Sequence, residues 1–305
     1  AGSDLSVAGS VTATNATTLN ASAITVNGTV DTTNGTTTLT STGDLTVNGS
    51  GTIKGTAVNV STGQDFIHNG GLIDTPNAVI KAQRNILLQS GSLHANNADL
   101  FAIGGYVDES YSNEENVTAA TSYDLQVSNL LRAASGSNAN NSVGIDLGSR
   151  FNKLTNVQVK TAAGNVIIGN GNIGTTALDV AIMNKEQPIA GDISIINYND
   201  GDATNNAVTV SGLLHANGNV VIENKEGNVE VLNATGASIV GENISLKATG
   251  NVNNNNSINA VVNAELIATG DVYNYGNINA NSVNVTAGND AVMANGNITV
   301  TTMNM

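Results

Sequence analysis

Ala248-Thr249-Gly250-Asn251-Val252 returns twenty residues later as Ala268-Thr269-Gly270-Asp271-Val272. Within the same units Ile258-Asn259-Ala260 returns as Ile278-Asn279-Ala280, and Ile298 falls at the next step. Ile244 and Leu246 return as Ala264 and Leu266 and then, one residue short, as Val283 and Val285. Three apolar stations therefore share one period, the mark of a repeat architecture. The N-terminal third keeps the same beat: Leu5, Ile24, Leu45, Phe66 and Ile86 are 19, 21, 21 and 20 residues apart. Each opens a short alternation of apolar and polar residues, as in Asp44-Leu45-Thr46-Val47-Asn48-Gly49. Further units begin at Gly164-Asn165-Val166, Gly191-Asp192-Ile193 and Gly227-Asn228-Val229. The frame drifts between 105 and 165 and stretches again over 183–206.

Alternation over three to five residues marks a half-buried strand, whereas a helix needs apolar stations three and four residues apart. A 20-residue period broken every six or seven residues by Gly or Asn leaves room for three short strands per turn of a coil. Coils stacked in register pair each strand with its equivalent about 4.8 Å away. The expected fold is all-β, a parallel β-helix (β-solenoid) of about 20 residues and three short strands per coil. Some 13 to 15 coils make a rod of roughly 60–70 Å. By repeat quality the chain divides into 1–105, regular coils; 106–163, irregular coils with an acidic loop outside the helix; and 164–305, regular coils again.

Composition agrees. The chain of 305 residues carries 49 asparagines and 33 glycines, 3% aromatic and 11% charged residues, no Cys, no Trp and two prolines. A typical domain carries about 25% charged residues, and solvent-facing helices need them. A narrow core takes Val, Ile, Leu and Ala but few large rings. Corners are expected to favour Gly and Asn, which tolerate left-handed backbone, and Asn at equivalent corners can form amide ladders. Proline is scarce because each strand N–H bonds to the next coil. A net charge of −14 argues against binding nucleic acid through its phosphates. Without Cys there is neither a disulfide framework nor a thiolate zinc site. No apolar run approaches the ~20 residues of a membrane span.

The unit from Gly270 to Ala287 (Gly-Asp-Val-Tyr-Asn-Tyr-Gly-Asn-Ile-Asn-Ala-Asn-Ser-Val-Asn-Val-Thr-Ala) resembles the repeat of filamentous-haemagglutinin-type exoproteins, bacterial adhesins exported by two-partner secretion. The likeness is best over 227–302, fair over 2–105 and poor over 106–160. It implies a right-handed β-helix at the bacterial cell surface, secreted through an outer-membrane transporter, that acts in adhesion, biofilm formation or contact with other cells. Host or bacterial surface molecules would be its partners, and it transfers no catalytic residue and no cofactor. The Asn-Pro-Asn motifs of that family's secretion domain are missing, since the prolines lie in Thr75-Pro76-Asn77 and Gln187-Pro188-Ile189. The resemblance therefore places the chain in a stalk or repeat region.

Candidate sites are few. Tyr106, Asp108, Glu109, Tyr111, Glu114 and Glu115 gather four carboxylates and two of six tyrosines where the coil grammar breaks. A loop leaving a rigid rod is a place for a partner or a cation, and a charge cluster is also an ordinary solvated insertion. Asp200 and Asp202 alternate as in a calcium loop, but Gly201 lies between them and no distal Glu follows, so Asn197–Asp202 suits a polar turn. His68, His94 and His215 are isolated, too few and too scattered for a zinc site. Leu93-His94-Ala95-Asn96 and Leu214-His215-Ala216-Asn217 are similar phrases that suggest an equivalent coil position. Thirteen Asn-x-Ser/Thr sequons are little more than this abundance of Asn, Ser and Thr gives by chance.

The leading functional expectation is a structural adhesin, a stalk or a filament-forming solenoid. Strand pattern runs from Leu5 to Val300 with no polar, helical cap at either end, and uncapped coils expose strand edges. Either the chain belongs to a longer rod, or copies stack head to tail, a contact that does not close and so makes filaments. A carbohydrate-active β-helix enzyme, a lyase or hydrolase, is the alternative. It would have to work with Arg84, Arg132 and Arg150 and no Trp. Ice binding would require Thr-x-Thr at one station in successive coils, and Thr12-Ala13-Thr14 and Thr36-Thr37-Thr38 do not recur that way.

Overall fold

The computed structural model describes residues 2–109, 123–136, 143–161, 163–171, 178–183, 187–198 and 207–304. Thirty-one strands and no helix occur among them. All the strands belong to one sheet that winds upon itself, and every pairing is parallel. The architecture is the β-solenoid that the spacing predicts.

One ladder shows it whole. Leu5 pairs with Ile24, Ile24 with Leu45, Leu45 with Phe66, and Phe66 with Ile86. It continues through Val107, Ile145, Val166, Ile193, Val220, Ile244, Ala264, Val283 and Met303. Thirteen steps of about 4.8 Å span about 60 Å. A second face stacks Val11 on Val30, Ile53, Ile73 and Leu93, and in the C-terminal coils the strand that leads into the first ladder stacks Leu214 on Ile239, Ile258, Ile278 and Ile298. The third stacks Leu39, Val60, Ile80 and Leu100. Residues pointing inward from all three faces are almost fully buried and form one continuous apolar column. Burying such a column is the main favourable term, at about 25 cal/mol per Å² of apolar surface.

The corners differ from expectation. Among the described residues Asn295 is the single non-glycine with positive φ, and six glycines join it. Left-handed backbone therefore does not explain the asparagines. Their side chains do. Asp44 Oδ1 accepts the N–H of Asp65, Asp65 Oδ1 that of Asn85, and Asn85 Oδ1 that of Tyr106. The same relay links Asn165, Asp192 and Asn219, and then Asn228, Asn251, Asp271 and Asp290. The glycine of the recurrent Gly-Asn/Asp-apolar phrase follows from this relay. A Cβ on Gly250 or Gly270 would overlap the Oδ1 of Asn228 or Asn251 in the coil before. Amide ladders form as well. Asn77, Asn97, Asn129 and Asn156 are linked amide to amide at 2.9, 3.1 and 2.9 Å on the outside. Asn170, Asn197 and Asn224 are linked at 3.2 and 3.1 Å inside the rod.

Candidate functional site

Of the six residues of the expected acidic loop, Tyr111, Glu114 and Glu115 lie outside the described residues. Tyr106 and Asp108 are half-buried on the coil. Glu109 is 2% exposed, so it is a core residue and not part of a solvated contact patch. The register gives the reason. Two residues after Val107, it stands where Leu88 follows Ile86 and Leu147 follows Ile145, a position that points inward by strand alternation. Its Oε2 accepts hydrogen bonds from Ser149 N and Asn152 Nδ2, both at 3.0 Å, and Oε1 has no hydrogen-bond partner. Burial pushes its pKa up to about 8 against the lowering effect of those two bonds, with the charges of Asp146 and Asp108 adding to the rise. Glu109 is thus mainly protonated at neutral pH.

His68 lies in the same column. It pairs in register with Val47 and Leu88, and it is fully buried. Burial lowers its pKa to about 3, opposed by a backbone hydrogen bond with Gly70. Tyr123 reaches it from two coils away, hydroxyl to Nδ1 at 2.7 Å. The residue in register with Tyr123 is Gly91 (φ 101°), so no side chain separates the phenol from the imidazole. Burial first, then the charges of Glu109 and Asp124, hold the Tyr123 hydroxyl well above its ordinary pKa. Three titratable groups therefore sit uncharged inside the rod. They are sealed from solvent and cannot meet a substrate.

The remaining expectations are placed as follows. His94 and His215 each follow a fully buried leucine and each point outward, half-buried. Asn197 turns inward as a rung of the interior ladder, whereas Asp200, Gly201 and Asp202 lie outside the described residues. Arg84 is held by Asp65 and Arg132 by Asp99, each with a contact of 2.5 Å. The Arg150 guanidinium lies 5.4 Å from the Phe151 ring centre. Among the described residues no group of three or more His, Asp or Glu could hold a metal ion.

A concavity on the outer surface lies elsewhere. A groove of about 520 Å³ follows the bend where the second face turns into the third. Its floor is an outward row locked one residue per coil, with Asp74 beside His94, His94 beside Gln126, and Gln126 beside Lys153. Asp74 is 3.8 Å from Lys54 on the preceding coil. His94 Nε2 is 3.3 Å from Asp124 Oδ2, which also accepts from Gln126 Nε2 at 2.7 Å. Asn96, Ser128 and Thr155 add hydroxyls and an amide along the wall. The Lys153 side chain is exposed, and its ammonium has no ion-pair partner among the described residues. Sequence reasoning missed this row because an insertion of a dozen residues breaks the period between His94 and Gln126. Lys54, Asp74 and His94, each twenty residues apart, were the available signal.

Comparison with protein-family models, with curated proteins and with solved structures gives no match.

Proposed function

We propose that the protein is an exported structural protein of a bacterial surface, the stalk of an adhesin or a filament-forming solenoid, acting in cell adhesion and biofilm formation. The observation that carries this reading is the single ladder, unbroken for thirteen steps among the described residues. Among the described residues, strands Leu5–Val7, Ser10–Ala13 and Ala16–Ala21 pair only with the coil that follows them. Strands Ala291–Met293, Ile298–Thr299 and Thr302–Asn304 pair only with the coil before. Unpaired edges recruit strands. A second copy, or further sequence of a longer rod, would continue the ladder at no cost in register. The haemagglutinin-like repeat supports export by an outer-membrane transporter and partners among host or bacterial surface molecules.

Electron microscopy of the purified chain tests the assembly. Filaments with an axial repeat near the 60 Å of the ladder are expected, and they should lengthen as added salt screens the net charge of −14. A dispersed monomer at all salt concentrations in ultracentrifugation would remove the filament reading and leave the stalk. Failure of protein-coated beads to attach to bacterial or host cells would remove the adhesive role.

A further inference from the structure

We propose that the groove over Asp74, His94, Gln126 and Lys153 binds a linear uronate oligosaccharide laid along the rod axis. Three features select this class of ligand. The first is spacing. The row presents one side chain per coil, and the coil rise of about 4.8 Å is close to the length of one pyranose ring. Three steps, about 14 Å, suit three or four sugars.

The second is charge. Asp74 is neutralised by Lys54, and Asp124 is engaged by His94 and Gln126. Lys153 alone in this row is uncompensated, on a chain whose net charge is −14. A ligand whose units each pair one carboxylate with several neutral hydroxyls fits that pattern, because a carboxylate can meet Lys153 while hydroxyls meet Asp74 and Asp124. A dense polyphosphate does not, because Asp74 and Asp124 would face it.

The third is the kind of hydrogen bonding available. Gln126, Asn96, Ser128 and Thr155 offer side-chain donors and acceptors together, which is what sugar hydroxyls need. The strands beneath are already paired on both sides with neighbouring coils. An extended peptide therefore finds no free edge to add to.

This site deepens the surface-adhesion reading, on which its biological setting rests, but the binding is measured on the isolated protein. Titration calorimetry with tetragalacturonate is the test, with cellotetraose as the neutral glycan and tetraglutamate as the acidic peptide. Tetragalacturonate should bind, and Lys153→Glu should weaken it by about tenfold or more. Gln126→Ala should weaken it less. Lys160→Glu, the same charge change on an exposed lysine outside the groove, should leave it nearly unchanged. The proposal is overturned by absence of tetragalacturonate binding, by an equal effect of Lys160→Glu, by equal affinity for cellotetraose, or by tighter binding of tetraglutamate. Filaments that still form from Lys153→Glu, whatever its affinity, leave the assembly reading intact, so the two claims fail separately.

Discussion

The outer thirds and the middle of this rod solve the same packing problem with different materials. Along Leu5, Ile24, Leu45, Phe66, Ile86 and Val107 the ladder advances by 19 to 21 residues, and the inward positions are mostly aliphatic. Between Val107 and Ile145 one step takes 38 residues, and the next steps to Val166, Ile193 and Val220 take 21, 27 and 27. Around that stretch the column contains His68, Glu109, Tyr123 and Asn152, followed by the Asn170–Asn197–Asn224 ladder. Inward polar groups also occur in the regular coils, at Thr17, Thr32 and Thr37 and at Asn254 and Asn274, and there as in the middle nearly all of them bond one another. The contrast shows that strand register tolerates insertions at corners as long as each new coil lands on the last. Apolar filling is one way to land, and a hydrogen-bonded interior is another.

Breaking the apolar half should have the largest effect. Leu45→Ala leaves a cavity between the Ile24 and Phe66 rungs and is expected to cost about 2–5 kcal/mol in urea unfolding. The polar half should instead reveal itself through pH. Glu109 titrates near 8 in the folded chain against an ordinary 4.5. The folded state therefore holds this proton more tightly, and stability falls as pH rises from about 4.5 to 8. His68 titrates near 3 against 6.5, so stability also falls as pH drops from 6.5 towards 3. Each limb has a slope of roughly 1–2 kcal/mol per pH unit, and between 4.5 and 6.5 the two slopes cancel. Glu109→Gln should abolish the alkaline limb and keep the acid one. A melting temperature that ignores pH from 6.5 to 8 in the natural sequence would contradict the buried carboxyl.

Smaller effects sharpen the distinction further. Asn197→Ala removes the acceptor of the Asn170 amide inside the rod and should cost about 1–3 kcal/mol. The same change at Asn97, in the outer ladder, should cost only about 0.5 kcal/mol because water replaces the lost bonds. Equal costs at the two positions would mean that burial does not separate the ladders.

The five N-terminal stations were legible because aliphatic residues at one spacing have only one way to share a face. Other features were not. Gly191-Asp192-Ile193 and Gly250-Asn251-Val252 are the same phrase, yet Ile193 belongs to the ladder of Leu45 and Val252 to that of Val229. Identical corner chemistry serves two corners, and sequence carries no label for which. Glu109 was misplaced because its charge suggests solvent, whereas its parity on the strand decides. His94 could be placed on the outer face by its buried neighbour Leu93, but its companions Gln126 and Lys153 lie beyond an insertion, and only the wound backbone brings them together.

The corner relay has a direction. In every link described, the carboxylate or amide oxygen sits on the earlier coil and receives the N–H of the later one. A chain emerging N-terminus first therefore meets a prepared acceptor at each lap, while winding begun from the other end would leave donors waiting. Deleting coils from the C-terminal side should accordingly leave a side-chain oxygen without its donor on the last survivor, and deleting them from the N-terminal side should leave an N–H without its acceptor on the first. The molecule is chemically polar along its length: a cut made anywhere leaves side-chain oxygens on one face and backbone N–H groups on the other.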